Sequence, residues 1–289
     1  MDKPTIALTG ASGYLGQFIV SYLTKKGFSI KALSRDIKKS SQLFPNIQWI
    51  EGELSSTADY SELLNDCEGL IHGAFHHIKG RYRGGEGDDL EGFLDKNLHG
   101  SLNLLKQASK LSYGVFISSR AIYGSSPQTK ESDLPAPDSH YGTYKLQIEQ
   151  AIIKNKWPFA TIRPTGVYGL ISPIEHSKWY GLIYSLKHHQ PYPPAHNGTE
   201  VHGDDLAAAI YLLLNPQYCG EIFNCSDFHM SHSKIIQILC DIYHLSAPSP
   251  HLSSRLVHPM NCDKLKNIGW QPSGEEKLRE TLKNLYKNI

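Results

Sequence analysis

Thr9-Gly10-Ala11-Ser12-Gly13-Tyr14-Leu15-Gly16 joins an apolar run of strand length, Thr5–Thr9, to a helical pattern over residues 14–26. Each glycine has a physical task. Gly10 permits the tight turn, Gly13 lets backbone amides approach an anion, and Gly16 lets helix pack close to strand. Amides and the positive dipole at a helix N-terminus then hold a pyrophosphate. Strand, turn and helix in that order are the context such a glycine pattern needs. The loop residues Gly10, Ser12, Gly13, Tyr14, Leu15 and Gly16 are therefore cofactor-binding candidates.

Outward from this loop, strand-length apolar runs fall at 5–9, 29–33, 47–50, 69–72, 115–118 and 159–162. Helical patterns lie between them, as at 14–26, 97–111 and 141–155. The alternation predicts an α/β fold with a Rossmann-type, doubly wound parallel sheet. After Pro164 the rhythm changes to an aromatic and histidine-rich stretch, a helix over 204–214, an apolar face at Ile235, Ile236, Leu239, Ile242 and Tyr243, and a last helix over 275–286. Residues 1–165 with about 201–225 are expected to form the dinucleotide domain. Residues of about 166–200 and 226–289 are expected to form a smaller substrate lobe.

The second strand ends at Leu33-Ser34-Arg35-Asp36. An acid at the strand tip would suit a free ribose 2′-hydroxyl, but Ser34 stands there. Ser34 followed by Arg35 suits a 2′-phosphate, which a guanidinium holds through a planar fork. This favours NADP over NAD; the alternative is that Arg35 faces solvent beside Asp36.

Ile117-Ser118-Ser119 closes a predicted strand at the edge where open α/β sheets bind ligands. Downstream, Tyr141 and Lys145 stand four residues apart at the start of a helix, on one face and one turn apart. A tyrosine titrates ordinarily near 10 and is a poor base, but a neighbouring ammonium favours its phenolate. Tyr141 can then exchange a proton with a substrate oxygen while a nicotinamide exchanges hydride at the attached carbon. Ser119 would bond the same oxygen, and Lys145 could also bond the nicotinamide ribose. Tyr144 offers a competing alignment but has no lysine four residues on.

Composition limits the other classes. The 289 residues are 40% hydrophobic and 20% charged, with 29 basic and 28 acidic side chains. No global field recruits nucleic acid or an anionic membrane. No apolar run approaches membrane-spanning length, and glycines interrupt the N-terminal run that a signal peptide would need. Cysteines 67, 219, 225, 240 and 262 form no C-x-x-C pair, which fits a reducing, cytoplasmic setting. Of the 15 histidines, His72 and His76 have the i, i+4 spacing of a helical ligand pair but flank a predicted strand end, and no Cys/His cluster at ligand spacing appears. The histidines are read as solvated or cleft residues, and no metal is expected.

Together these residues carry a resemblance to the extended short-chain dehydrogenase/reductase family, also called the NAD-dependent epimerase/dehydratase family. T-G-x-x-G-x-x-G appears at 9–16, a strand-end serine and V-Y-G-like turn at Ser118–Gly124, and the Tyr-Lys helix at 141–145 with Glu149 trailing. Asn97-x-x-Gly100-x-x-Asn103-Leu104-Leu105, Arg163-Pro164-x-x-Val167-Tyr168-Gly169, Val201-His202-Gly203-Asp204-Asp205-Leu206-Ala207 and Gly269-Trp270-Gln271-Pro272 extend it along the chain. The resemblance implies further cofactor contacts at Ser118, Glu53, Leu54, Gly73, Ala74, Phe75 and Asn97. It departs from the family where H-x-A-A reads His72-Gly73-Ala74-Phe75, where Glu53 replaces an adenine-contacting Asp, and where Arg120 follows the serine. The acidic pair that dehydration uses is absent, and no pair of substrate-diphosphate arginines aligns; Arg255 is one candidate.

The function expected is an NAD(P)-dependent oxidoreductase acting at a carbinol or carbonyl carbon of a small molecule, a sugar or nucleotide-sugar among the options. An epimerase retaining NAD is the alternative, and a non-catalytic dinucleotide sensor is a third. A homodimer is compatible with either enzyme. The glycine-rich run 80–89 is read as a lid over the cleft, with Arg81 or Arg83 on an anionic group, or else as a solvated loop.

Overall fold

Side chains of a strand alternate between its two faces, and in this chain both faces are apolar. Ile6, Leu8, Ile71, Val115, Ile117 and Ile162 join one buried cluster, while Ala7, Leu70, Phe116 and Phe159 join another. Strands of this kind must be covered on both sides, which is the condition of an all-parallel sheet. The computed structural model describes residues 4–78, 85–127, 129–246 and 257–289. Arg81, Arg83 and the first half of the expected lid, residues 80–84, like Arg255, lie outside the described residues.

The strands are β1 (Thr5–Thr9), β2 (Ser29–Ser34), β3 (Gln48–Glu51), β4 (Gly69–His72), β5 (Tyr113–Ile117) and β6 (Phe159–Pro164). They are followed by β7 (Gly166–Tyr168), β8 (Asn197–His202), β9 (Ile222–Cys225) and β10 (Phe228–Ser231). Seven run parallel in the order β3-β2-β1-β4-β5-β6-β9, and a separate sheet has the order β10-β8-β7. The strand order reverses beside β1, so the crevice between the ends of β1 and β4 is the ligand position of such a sheet.

The helices are α1 (Tyr14–Lys25), α2 (Ile37–Leu43), α3 (Ser61–Leu64), α4 (Leu90–Leu94), α5 (Gly100–Gln107) and α6 (His140–Asn155). After them come α7 (Tyr180–Lys187), α8 (Gly203–Leu213), α9 (His232–Tyr243), α10 (Asp263–Asn267) and α11 (Gly274–Lys287). Helices α1 and α8 pack together on one face of the large sheet, through residues such as Phe18, Leu23, Leu206 and Ile210; α5 and α6 cover the other through Leu104, Leu105, Ile148 and Ile152. A third cluster joins α7, α9 and α11 through Leu182, Ile183, Ile235, Leu239, Leu278 and Leu282. No helix of the described residues is long and apolar enough to cross a membrane.

Some boundaries differ from the sequence reading. The helix expected over 97–111 starts at Leu90, because the Asp89 carboxylate accepts the Gly92 amide as an N-cap, and it widens into a π-turn over Asp95–His99 before α5. Strand β5 starts two residues earlier than expected. Val201 and His202 close β8 in the second sheet, where they pair with β7. The return to the large sheet therefore begins at Gly203. Helix α7 and the small sheet carried no period clear enough to read.

One buried ion pair crosses three elements. Arg163 on β6 places Nη2 2.6 Å from Glu149 Oε2 of α6, and the two side chains are 2% and 1% exposed. Glu149 also accepts the Ser118 hydroxyl. Arg163 Nη1 donates to the Tyr123 hydroxyl at 2.7 Å, which lies 2.9 Å from Asn224 Oδ1 on β9. Removing one member of such a pair strands the other charge in the interior. Arg163→Met should cost about 3–5 kcal/mol in urea unfolding. Arg279→Met, at the exposed Glu275 pair with N···O 2.7 Å, should cost under about 1 kcal/mol. Equal losses would contradict the assignment.

Candidate active site at the carboxyl edge of the sheet

The glycine loop turns where expected. Gly10 has φ +83°, a backbone that side-chain-bearing residues avoid, and a Cβ there would press on the Ala74 amide. Gly13 caps α1 with extended backbone, no side chain caps the helix, and its first turn holds no acid. Ser12 and Gly13 are exposed at the loop tip, Leu15 packs against the core, and Gly16 is buried beneath the loop. The first turn of α1 thus has no side-chain cap and no acid, the condition under which a helix N-terminus can take an anion. Tyr14 points elsewhere: its hydroxyl donates to Gly169 O at 2.9 Å and accepts from the Lys178 amide at 3.1 Å. It ties the loop to the second lobe.

A one-way relay of hydrogen bonds supports the loop from below. Burial, with the nearby Lys145 charge, holds the His72 imidazole down to about 3, so the ring is neutral. The Ser101 hydroxyl donates to Asn97 O at 2.5 Å, so it accepts from His72 Nε2 at 2.8 Å. His72 Nδ1 then accepts from the Thr9 hydroxyl at 2.7 Å, and Thr9 Oγ1 accepts the Ala74 amide at 3.2 Å. The Gly73 amide bonds Thr9 O at 3.2 Å. Every donor in this chain has one acceptor, which fixes the tautomer.

Several candidates take protein partners instead of facing a ligand. The Asn97 amide group accepts from the His76 amide at 2.7 Å and donates to His76 O and Phe93 O. It shapes the 74–77 segment. Ser118 is buried on Glu149, Leu54 lies in the core, and Ser34 Oγ bonds Ser40 Oγ at 2.7 Å and receives the Asp36 amide. Glu53 is exposed in an ion pair with Lys96 at 3.2 Å. Arg35 is exposed, with Nη1 3.3 Å from His76 Nδ1.

At the end of β5 the structure separates two adjacent serines. Ser118 points into the interior, while Ser119 is half-buried and its Oγ accepts the Ala121 amide at 3.1 Å, keeping its own proton to donate. Ser139 caps α6 by accepting the Gly142 amide at 3.2 Å, and this sets Tyr141 and Lys145 in the first turns. Lys145 is 4% exposed, and Nζ donates to Ile117 O at 2.8 Å, one residue from the serines. Its ammonium lies 4.8 Å from the Phe116 ring centre and 5.9 Å from that of Tyr141. Burial lowers its pKa to about 7, against the pull of Glu149. Tyr141 is held between Phe75 at 4.9 Å and Tyr144 at 5.7 Å, and His77 stacks on Phe75 at 4.7 Å. Lys145 is thus fixed to Ile117, two residues before Ser119 at the carboxyl edge of β5, and Tyr141, one turn away on α6, packs on Phe75 of the segment that follows β4.

A sequence model of the NAD dependent epimerase/dehydratase family matches residues 6–226. The chain belongs to that family. Among curated proteins it is similar to a cinnamoyl-CoA reductase of Medicago truncatula, 25% identical over 97% of this chain and 95% of that one. It is also similar to a bifunctional dihydroflavonol 4-reductase/flavanone 4-reductase of Pyrus communis, 25% identical over 84% of this chain and 77% of that one. Among solved structures, UDP-glucuronic acid 4-epimerase from Bacillus cereus, in complex with UDP-glucuronic acid and NAD, has a TM-score of 0.80 at 22% identity, over 98% of both chains. The likeness extends through the second lobe, beyond the residues that the family model covers. These family relatives are reductases and epimerases, enzymes of one fold with different outcomes.

Sequence reasoning missed the Phe75–Tyr141 contact and the inward role of Ser118, for which a single sequence carries no signal. Glu149 was noted only as trailing the lysine, and its spacing from Lys145 was the available clue to a shared face. The lowered Lys145 pKa has a kinetic consequence. Rate that depends on the Lys145 ammonium should fall as pH rises through about 7, where the proton leaves. In Lys145→Arg, which stays charged, that limb should leave the neutral range, even at reduced overall rate. A pH–rate profile with the limb unmoved in the arginine variant would assign it to another group.

Proposed function

We propose that the chain is an NADP-dependent reductase or dehydrogenase acting at a carbonyl or carbinol carbon. What supports this reading is buried Lys145 bonded to Ile117 O, two residues before Ser119 at the end of β5, with Tyr141 one turn away on α6. In the reducing direction the Tyr141 hydroxyl donates its proton to the developing alkoxide, and in the other direction the phenolate removes it. The Ser119 hydroxyl donates to the same oxygen and steadies its charge. Lys145, fixed by Ile117 O, supplies a cation within reach of the phenolate in a site shielded by Phe116 and Tyr144. A bound nicotinamide supplies or takes the hydride.

The amides at the start of α1, Tyr14 and Leu15, would take the pyrophosphate, while the Gly13 amide closes the loop on Gly10 O at 3.0 Å, and Arg35 is the group for a 2′-phosphate. Support for NADP comes from Arg35 standing exposed at the end of β2 while no acid occupies the strand tip. The solved relative named above holds NAD; that belongs to a protein 22% identical. All five cysteines are free thiols, in keeping with a reducing, cytoplasmic setting.

Purified protein should consume one NADPH per product molecule and carry little retained NAD. Tyr141→Phe should bind cofactor normally and turn over about 10²–10⁴-fold slower; near-normal turnover would make Tyr141 structural. A tightly held NAD, with sugar isomerised and no change in nicotinamide absorbance, would replace this reading with the epimerase.

Cofactor choice is tested separately. Arg35→Ala should weaken NADPH by roughly ten- to a hundredfold, from the loss of one charged hydrogen bond, and leave NADH nearly unchanged. Equal losses for both would remove Arg35 from the phosphate site.

A further inference from the structure

Two neighbouring side chains on the segment after β4 reach opposite ends of the cleft. Ala74 lies against the glycine turn, where a Cβ on Gly10 would meet its amide at 2.9 Å. Phe75 packs on Tyr141 with ring centres 4.9 Å apart, at the end where the chemistry is proposed. His76 instead reaches the tip of β2, and its Nδ1 lies 3.3 Å from Arg35 Nη1. Strands β2 and β4 flank β1 in the sheet, so Arg35 and His76 bridge the end of β1, where the glycine loop begins. The tip of the second strand is also where a fold of this type holds the adenosine ribose of a dinucleotide. Both backbone groups of His76 are held by the buried Asn97 side chain, at 2.7 and 2.8 Å. The imidazole is therefore presented from a fixed backbone.

A guanidinium only donates, so His76 Nδ1 accepts in this contact and carries no proton. The ring is neutral, with its proton on Nε2. Among the described residues, the charges that act on it are Arg35 after β2, Lys96 in the π-turn and Glu53 after β3, with His77 beside it on its own segment. Glu53 is itself paired with Lys96 at 3.2 Å. Asp36, next to Arg35, is turned to α2, where its carboxylate caps the helix by accepting the Lys39 amide at 2.9 Å. Burial, with the Lys96 and Arg35 charges, holds the His76 imidazole below the ordinary histidine range, against the pull of Glu53. A cation and a neutral imidazole thus stand side by side in a surplus of positive charge. A ribose hydroxyl gives the ring no reason to protonate. A phosphate monoester does, because it brings close to two negative charges and three acceptor oxygens.

We propose that His76 is a second reader of the cofactor's 2′-phosphate: Arg35 and His76 each donate to one of its oxygens, and the imidazole takes one proton from solvent as the phosphate binds. This rests on the NADP reading above. NADH, which lacks the phosphate, binds without that proton.

The test measures NADPH and NADH binding by calorimetry, in two buffers of different ionisation enthalpy so that protons are counted, from about pH 7 to about pH 8.5. In that range the 2′-phosphate, whose second proton leaves near about 6, is already a dianion. Binding that needs the imidazolium is strongest at the lower pH and fades as pH rises through the raised pKa of the complex. The preference for NADPH over NADH should therefore fall several-fold across the range, with more protons taken up by NADPH binding than by NADH binding. Groups at the nicotinamide end, Lys145 included, act on both cofactors and cancel in the ratio. His76 is partly exposed, so replacing it does not empty the core. His76→Asn, which keeps a neutral donor, should flatten the preference against pH and abolish the extra proton. His76→Leu should lower the preference about tenfold or more. An unchanged pH slope and proton count in His76→Asn would overturn the proposal. Arg35→Ala, measured alongside, separates it from the reading it rests on. Selective loss of NADPH there, with none in His76→Leu, removes His76 alone, whereas equal losses of NADPH and NADH there remove the phosphate site and the NADP reading together.

Discussion

The Glu149 carboxylate is the constraint on which the chemical end of this protein depends. It is a charge in a dry interior, and it persists there only because Arg163 and Ser118 surround it. Tyr141, Lys145 and Glu149 recur every fourth residue of one helix, so they share a face. Fixing Glu149 against β5 and β6 fixes the rotation of α6, and with it the positions of Lys145 and Tyr141 above the strand ends. The same guanidinium reaches Tyr123, and through it Asn224 on β9. One network therefore relates the helix that carries Tyr141 and Lys145 to three strands of the sheet.

The glycine-loop side is fixed by a second network that shares no residue with the first. From the Ala74 amide through Thr9, His72 and Ser101 to Asn97 O, the hydrogen bonds run in one direction around a neutral imidazole. Asn97 sits in the π-turn, where the widened helix lets its side chain reach the backbone of His76. That segment carries Phe75, whose ring touches Tyr141. The position of the catalytic candidate is thus set from both sides, by an ion pair beneath α6 and by an aromatic contact from the loop after β4.

The second lobe follows other physics. Its core is a junction of α7, α9 and α11, and its small sheet holds Glu200 buried against Lys178. Tyr14 bonds Gly169 O and the Lys178 amide, so the loop proposed to hold a pyrophosphate also positions the lysine opposite Glu200.

Much of the large sheet was legible because its signals are local. An apolar run with both faces buried, a glycine turn and a capped helix are read within a few residues, and β1, β4 and the start of α1 lie where the sequence puts them. The strand end before Ser119 and the placement of Tyr141 and Lys145 on one helix were legible for the same reason. Tertiary structure decided what depends on partners distant in sequence. It turned Ser118 inward to Glu149, 31 residues away, and gave the Asn97 side chain to His76, 21 residues away. It brought Glu200 and Lys178 together across Gly166. A buried charge or amide takes whichever partner the fold supplies, and the identity of that partner is a property of packing that no local pattern encodes.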